Sequence, residues 1–178
     1  AEAEKKRAGF GDTYWEGKHL GKLATLSGIA EAAKAQELQN VFVTEIKRRL
    51  DDWFTATPGK DQPVFYYNTN WGTLVGSKPS YGSDKPLNDH HFHYGYFIRA
   101  AAEVARLDPA WAEQWGPMVK MLLRDIASPD RHDAMFPYLR CFDKYAGHSW
   151  ASGDANFADG NNQESSSESL NAWYGMIL

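Results

Sequence analysis

Asp89 stands third in the run "LNDHHFHYGYF" (residues 87–97), and Glu164 and Glu168 stand four residues apart in "DGNNQESSSE" (residues 159–168). Each group follows a long loop and precedes a helical pattern. A carboxylic acid that holds its proton, facing a carboxylate that acts as base, is the pair glycoside hydrolysis needs. Spacing alone leaves simpler roles open. Asp89 or Asn88 suits an N-cap, whose side-chain oxygen accepts from a free amide of the first turn. Ser165 and Glu168 fit a capping box, and Asn161 or Asn162 would cap the same helix a turn earlier. With that earlier start, Glu164 and Glu168 share one helix face. Like charges there cost stability, so capping accounts for one glutamate and not for both.

His90, His91, His93 and Tyr94 crowd the turn after Asp89. So many hydrogen-bonding side chains are costly to bury unless they face a ligand or a closed network. His90 and His93, three apart, could share a face, which keeps a metal-dependent helical enzyme built on His90, His91 and His93 as an alternative. The HExxH spacing is missing, no Cys-x-x-Cys pair completes a set, and His132 and His148 stand singly in loops. The expectation is no metal and no other cofactor. A serine or cysteine nucleophile has less support. No G-x-S-x-G elbow occurs, and Cys141, the single cysteine, reads as a small buried side chain.

The elements that must position these groups are mostly helices. "TYWE" (Thr13–Glu16) matches a capping box, and Trp15, Leu20, Leu23, Leu26 and Ile29 recur at helical spacing, with Gly28 marking the end. Leu38, Phe42, Ile46, Leu50 and Trp53 form the apolar face of a second helix, with Lys47 and Arg48 on its solvated side. Residues 55–88 are rich in Gly, Pro, Asn and aromatics, and "VFYYN" and "GTLVG" read as short strands. Phe92, Tyr96, Ala100 and Val104 line a third helix. Asp108 caps the next, with Pro109 in its first position and Met118, Leu122 and Ile126 as its stripe. A second long loop leads to the last helix, "SLNAWYGMIL", which reads as still running where the sequence stops; the chain is expected to be a piece of a larger protein.

Bulk properties set the outer limits. The 178 residues carry 43% hydrophobic and 24% charged side chains, an ordinary globular composition able to bury one core. The formal charge of -4 argues against a nucleic-acid partner, and no apolar run approaches a membrane span. The aromatic share of 14%, with 7 Trp and 9 Tyr, suits a cleft that stacks on flat ligand faces as well as a core.

Two long stretches add a family. "SYGSDKPLNDHHFHYGYFIRAAA" and "YAGHSWASGDANFADGNNQESSSESLNAWYG" resemble family 81 of the glycoside hydrolases, the endo-β-1,3-glucanases, as do "YWEGKHLGKLATL", "FYYNTNWGTLVG" and "MFPYLRCFDKYAGHSWASG". The resemblance implies an all-α segment, part of an (α/α)6 toroid with long aromatic-rich loops, spanning residues 1–178 as one partial catalytic domain. The N-terminal β-sandwich and the rest of the toroid lie outside it. It implies inverting endo-hydrolysis of β-1,3-glucans such as laminarin and curdlan, without a metal, by a secreted protein. Asp89 falls on the general acid, Glu168 on the base and Glu164 on a second essential carboxylate. His93 and Tyr94 are then expected to line the cleft. Tyr67, Trp71 and Trp150, placed in loops, would stack on glucosyl rings, with His148 and Asn162 as further substrate contacts. A module that holds β-glucan without turnover is the other reading.

Overall fold

Three short polar side chains, Asp12, Asp108 and Ser165, close free amides at helix starts. The computed structural model describes residues 2–5, 8–152 and 162–178, without the side chains of Glu2 and Lys5. Asn161, a candidate cap, lies outside the described residues. The elements run α1 (Glu2–Lys5), α2 (Thr13–Ala32), α3 (Gln36–Phe54), β1 (Val64–Asn68), β2 (Thr73–Ser77), α4 (His90–Ala105), α5 (Pro109–Ala127), β3 (Phe142–Asp143), β4 (His148–Ser149) and α6 (Ser166–Ile177). The chain is thus helix-rich, and two antiparallel hairpins qualify the all-α expectation. The first pairs Val64 with Ser77 through Asn68 with Thr73, where the sequence suggested strands.

Asp12 caps α2 by accepting from the amides of Tyr14 and Trp15, one residue before the expected Thr13. Thr13 is engaged elsewhere, its hydroxyl 2.8 Å from Nδ1 of His93. α2 also passes Gly28, which no neighbouring atom crowds, and ends near Ala32 where Lys34 turns left-handed (φ 56°). The apolar stripe on α2 is narrower than its spacing suggested, with Trp15 and Ile29 exposed. Glu16 and His19 are buried instead. Arg49 of α3 explains one of them: its guanidinium lies 2.7 Å from carboxylate oxygens of both Glu16 and Glu45. A buried charge is tolerable when each pole is partnered in this way.

Along α3 the buried face is Phe42, Ile46, Leu50 and Trp53, while Leu38 is exposed. Lys47 is not merely solvated; it pairs with Asp108 at 2.6 Å. Asp108 also accepts from the Trp111 amide and caps α5, with Pro109 in the first turn. α5 continues through Pro117, which lies on the exposed side of the helix.

α4 is the central element, buried along nearly its whole length, with α2, α3, α5 and α6 packed around it. Trp53 and Phe65 meet Phe97 with ring centroids 5.5 and 5.3 Å apart. α4 and α6 touch almost backbone to backbone. A Cβ on Gly95 would stand 3.0 Å from both Cβ and N of Ala172, and one on Gly175 would stand 2.9 Å from Cα of Arg99. Side chains elsewhere keep helix axes 8–10 Å apart; glycine here removes that spacer. α6 turns Ser169 and Ala172 inward and leaves Leu170, Tyr174 and Ile177 exposed.

Candidate active site

Asp89 sits at the N-terminus of α4 but does not cap it. Its backbone is left-handed (φ 63°, ψ 19°), and its side chain accepts from no amide of the first turn. The main chain does the local work instead: the Asp89 carbonyl accepts from the amides of Phe92 and His93 at 2.9 Å. The carboxyl is therefore freed from helix duty. It is nearly buried, and Oδ1 has no hydrogen-bond partner among the described residues. Burial first, and the nearby Glu164 charge second, push its pKa from 3.8 up to about 7; Glu168 adds to this and His90 opposes it. A carboxylic acid still protonated near neutrality is the state a proton donor requires.

The two glutamates separate into different environments. α6 starts at Ser166, with Ser165 as the cap, so Glu164 lies before the helix, left-handed (φ 62°) and exposed. The expectation that both share a helix face is corrected, because a single-turn Ser165 cap wins over an Asn162 start. Ser165 Oγ accepts from the Glu168 amide at 3.3 Å, while the Ser165 amide turns to the Gln163 carbonyl. The Glu168 carboxylate points across to α2. Its Oε1 accepts from Nζ of Lys18 at 2.9 Å and from the Tyr14 hydroxyl at 3.1 Å. The hydrogen bond to Glu168 raises the Lys18 ammonium well above its ordinary pKa, which keeps it a cation. Its side chain is 41% exposed, so the pair orients Glu168 more than it stabilises the fold.

Ala151 links the two regions. Its carbonyl accepts from the Asp89 amide and its amide donates to the Asn162 carbonyl, both at 2.7 Å. Asn162 thus enters the site through its backbone. The neighbouring loop is stiffened by Trp150, whose indole donates to Asp143 at 3.1 Å and whose ring meets His148 edge-on at 4.5 Å. His93 lies under the same surface, fully buried and neutral, its pKa pushed down to about 3 by burial and then by His90. Its Nε2 has no partner among the described residues. Trp71 is half-exposed on the β1–β2 turn.

Two expected contacts have their hydroxyls committed to main-chain carbonyls. Tyr94 is wholly buried and donates its hydroxyl to the Leu74 carbonyl at 2.7 Å, so it packs the core instead of lining a cleft. Tyr67 donates to the Met135 carbonyl and packs its ring on Phe136 at 5.5 Å. The histidines do not converge on one point: His90 bonds to Asp125 and Ser83, and His93 to Thr13. Among the described residues no group of three His, Cys, Asp or Glu side chains is placed to hold a metal ion. Sequence reading missed Tyr14, Lys18 and Tyr81. Tyr81 stacks edge-on to Tyr14 at 4.8 Å and faces His93. Their only signal was membership of the stretches "YWEGKHLGKLATL" and "SYGSDKPLNDHHFHYGYFIRAAA".

Comparison with known proteins bears on the same residues. The family model described as Glycosyl hydrolase family 81 C-terminal domain matches residues 2–178. Glucan endo-1,3-beta-D-glucosidases of Acetivibrio thermocellus and Thermobifida fusca are 59% and 52% identical over 94% and 91% of the chain. The primary septum glucan endo-1,3-beta-D-glucosidase of Schizosaccharomyces pombe is 35% identical over 93% of it. A solved mutant structure of glycoside hydrolase family 81 from Clostridium thermocellum superposes with a TM-score of 0.88 at 58% identity, covering 93% of this chain and 23% of that one. The chain spans 22% of the length of each of the two bacterial relatives. Matched over nearly all of its own length, the chain belongs to glycosyl hydrolase family 81, within the C-terminal domain.

Proposed function

We propose that this chain carries the acid and base of an inverting hydrolase that cleaves internal β-1,3 linkages in glucans of the laminarin and curdlan type. The observation that carries the reading is Asp89: buried, released from capping, holding its proton to about 7, and beside two glutamates. Asp89 gives its proton to the glycosidic oxygen as the bond from that oxygen to C1 breaks. Glu168 takes a proton from water, whose oxygen attacks C1 from the opposite face. Asp89 ends as a carboxylate and Glu168 as an acid, and exchange with solvent restores both. Lys18 and Tyr14 donate to Oε1 of Glu168 and so hold the carboxylate in place for the water. Inversion requires the two carboxyl groups to stand roughly 6.5–9.5 Å apart. Glu164 supplies negative charge that helps Asp89 keep its proton before the bond breaks.

The relatives' names support the substrate class, and the septum enzyme supports a place outside the cell or in its wall. In this reading the helices are one segment of an (α/α)6 toroid, and the β-sandwich belongs to another part of the polypeptide. Trp71, Trp150 and His148 offer the flat faces for glucosyl rings. Reducing-sugar release from laminarin tests the assignment. A Glu168→Gln variant is expected to lose at least about a hundredfold in kcat, the usual worth of a general base. Full activity in that variant, with loss in Glu164→Gln, would transfer the base role to Glu164. Full activity in both would refute the scheme.

A further inference from the structure

One buried ring nitrogen close to the proposed acid has no partner. His93 is fully buried, Nδ1 lies 2.8 Å from the Thr13 hydroxyl, and Nε2 meets no hydrogen-bonding group among the described residues. Thr13 is completely buried too, and Asp12 caps α2 in its place, so among the described residues its hydroxyl serves His93 alone. The side chain is locked. Its methyl fills a notch over Gly76, where an added Cβ would collide with Cγ2. One turn along α2, a Cβ on Gly17 would stand 3.0 Å from the His93 carbonyl, so glycine seats α2 against α4 at this point. The count of protons sets the direction of the bond. The hydroxyl carries one proton, which in the core needs an acceptor, and Nδ1 is that acceptor. A proton on Nδ1 would strand both the hydroxyl proton and the Nε2 lone pair. With the proton on Nε2, a single donor is left over. The ring is neutral, its pKa held down to about 3 by burial first and then by His90.

We propose that Thr13 is a positioning residue: its hydroxyl donates to Nδ1 of His93, fixes the Nε2–H tautomer, and so presents a donor to an oxygen of the glucosyl unit being cleaved. The inference rests on the reading of Asp89 and Glu168 as acid and base. His93 follows Asp89 by about one turn of α4, and helical side chains lean toward the N-terminus. Nε2 and the unpartnered Oδ1 of Asp89 therefore belong to the same end and face of that helix. The His93 ring also meets the Tyr14 ring at 5.2 Å, and the Tyr14 hydroxyl donates to Glu168. The unspent donor thus lies between the acid and the bonds that hold the base. Tyr81, more than half exposed and edge-on to His93 at 6.2 Å, is the ring past which a sugar approaches. A sugar oxygen has lone pairs and no charge, which suits a neutral donor in a buried setting. The opposite tautomer would present a lone pair to it.

The test reads the ring directly, on the full chain. Ring 15N shifts of the wild type should show His93 neutral with its proton on Nε2 from about pH 5 to pH 8. A proton on Nδ1, or on both nitrogens, overturns the proposal without any variant. Thr13→Val keeps the methyl in the Gly76 notch and removes the hydroxyl. It should shift the ring 15N pattern away from the pure Nε2–H form and lower kcat/KM on laminarin by about 2–10-fold, the worth of one neutral hydrogen bond. Thr13→Ser, which keeps the hydroxyl, should restore both. A folded Thr13→Val protein with unchanged ring shifts or unchanged kcat/KM would overturn the proposal, as would an equal loss in Thr13→Ser, the mark of a packing role. In Glu168→Gln, used to bind without turnover, a β-1,3-gluco-oligosaccharide should move the Nε2 signal; an unmoved signal at saturation also overturns it. Full activity in Asp89→Asn would sink the acid reading alone, because the ring shifts report the bond to Thr13 without any turnover.

Discussion

Asp89→Asn should stabilise this protein above neutrality while abolishing its activity. Asparagine keeps the shape of the side chain and adopts the left-handed backbone as readily as aspartate does. What it removes is a proton equilibrium. The native carboxyl holds its proton up to about 7, whereas the unfolded one releases it near 3.8. Below both values the two states bind equally and the wild type keeps its full stability. Between them the unfolded chain has lost the proton and the native chain has not, so stability falls as pH rises, and it levels off above about 7. Each pH unit in that window is worth about 1.4 kcal/mol. The whole window amounts to ~4 kcal/mol, with little loss to screening because Asp89 is only 8% exposed. Urea unfolding followed by circular dichroism near pH 4 and near pH 8 measures it. The variant should match the wild type at the lower pH and exceed it by ~4 kcal/mol at the higher. Equal stability at pH 8, or a gap that does not change with pH, would refute the reasoning.

Two further outcomes follow from the packing and the surface. Gly95→Ala should cost about 1–3 kcal/mol, read as a lowered Tm, because its methyl meets Ala172 at 3.0 Å. Gly28→Ala, with nothing nearby, should instead gain about 1 kcal/mol and serves as the control. Trp71→Ala should leave Tm unchanged, since the ring is half-exposed, and weaken binding of a β-1,3-gluco-oligosaccharide by about 2–10-fold, the worth of one stacked ring; unchanged affinity by calorimetry would remove Trp71 from the glucan surface.

Much of the scaffold was legible because local signals agreed with burial. Asp108 and Pro109 start α5, Ser165 starts α6, and "VFYYN" forms a strand, each by chemistry contained within a few residues. The misreadings share one cause, which is that a partner distant in sequence claims the side chain. Thr13 looks like a cap until His93 takes its hydroxyl, and Glu16 looks like the glutamate of the same capping box until Arg49 pairs with it in the core. Glu168 fits a capping box, yet Lys18 and Tyr14 draw its carboxylate away. Tyr94 and Tyr96 are two apart on one helix, and no pattern tells which hydroxyl will find the Leu74 carbonyl. The left-handed turn at Asp89 had no signal at all, although it is what separates a freed carboxyl from a cap.

Under the proposed scheme, the contact at Gly95 and Gly175 has a consequence for stereochemistry. Retaining and inverting glycosidases differ by as little as about 1 Å in carboxyl separation, with upper and lower limits near 5.5 and 6.5 Å. A methyl carbon wedged between α4 and α6 makes the facing helix give by a few tenths of an ångström, a sizeable part of that difference. The anomer released by such a protein would then be guarded by two absent side chains, some turns away from the reacting atoms. Drift in the rim aromatics would alter grip and leave the product's configuration alone, whereas a single added carbon in the helix seam would act on the gauge itself.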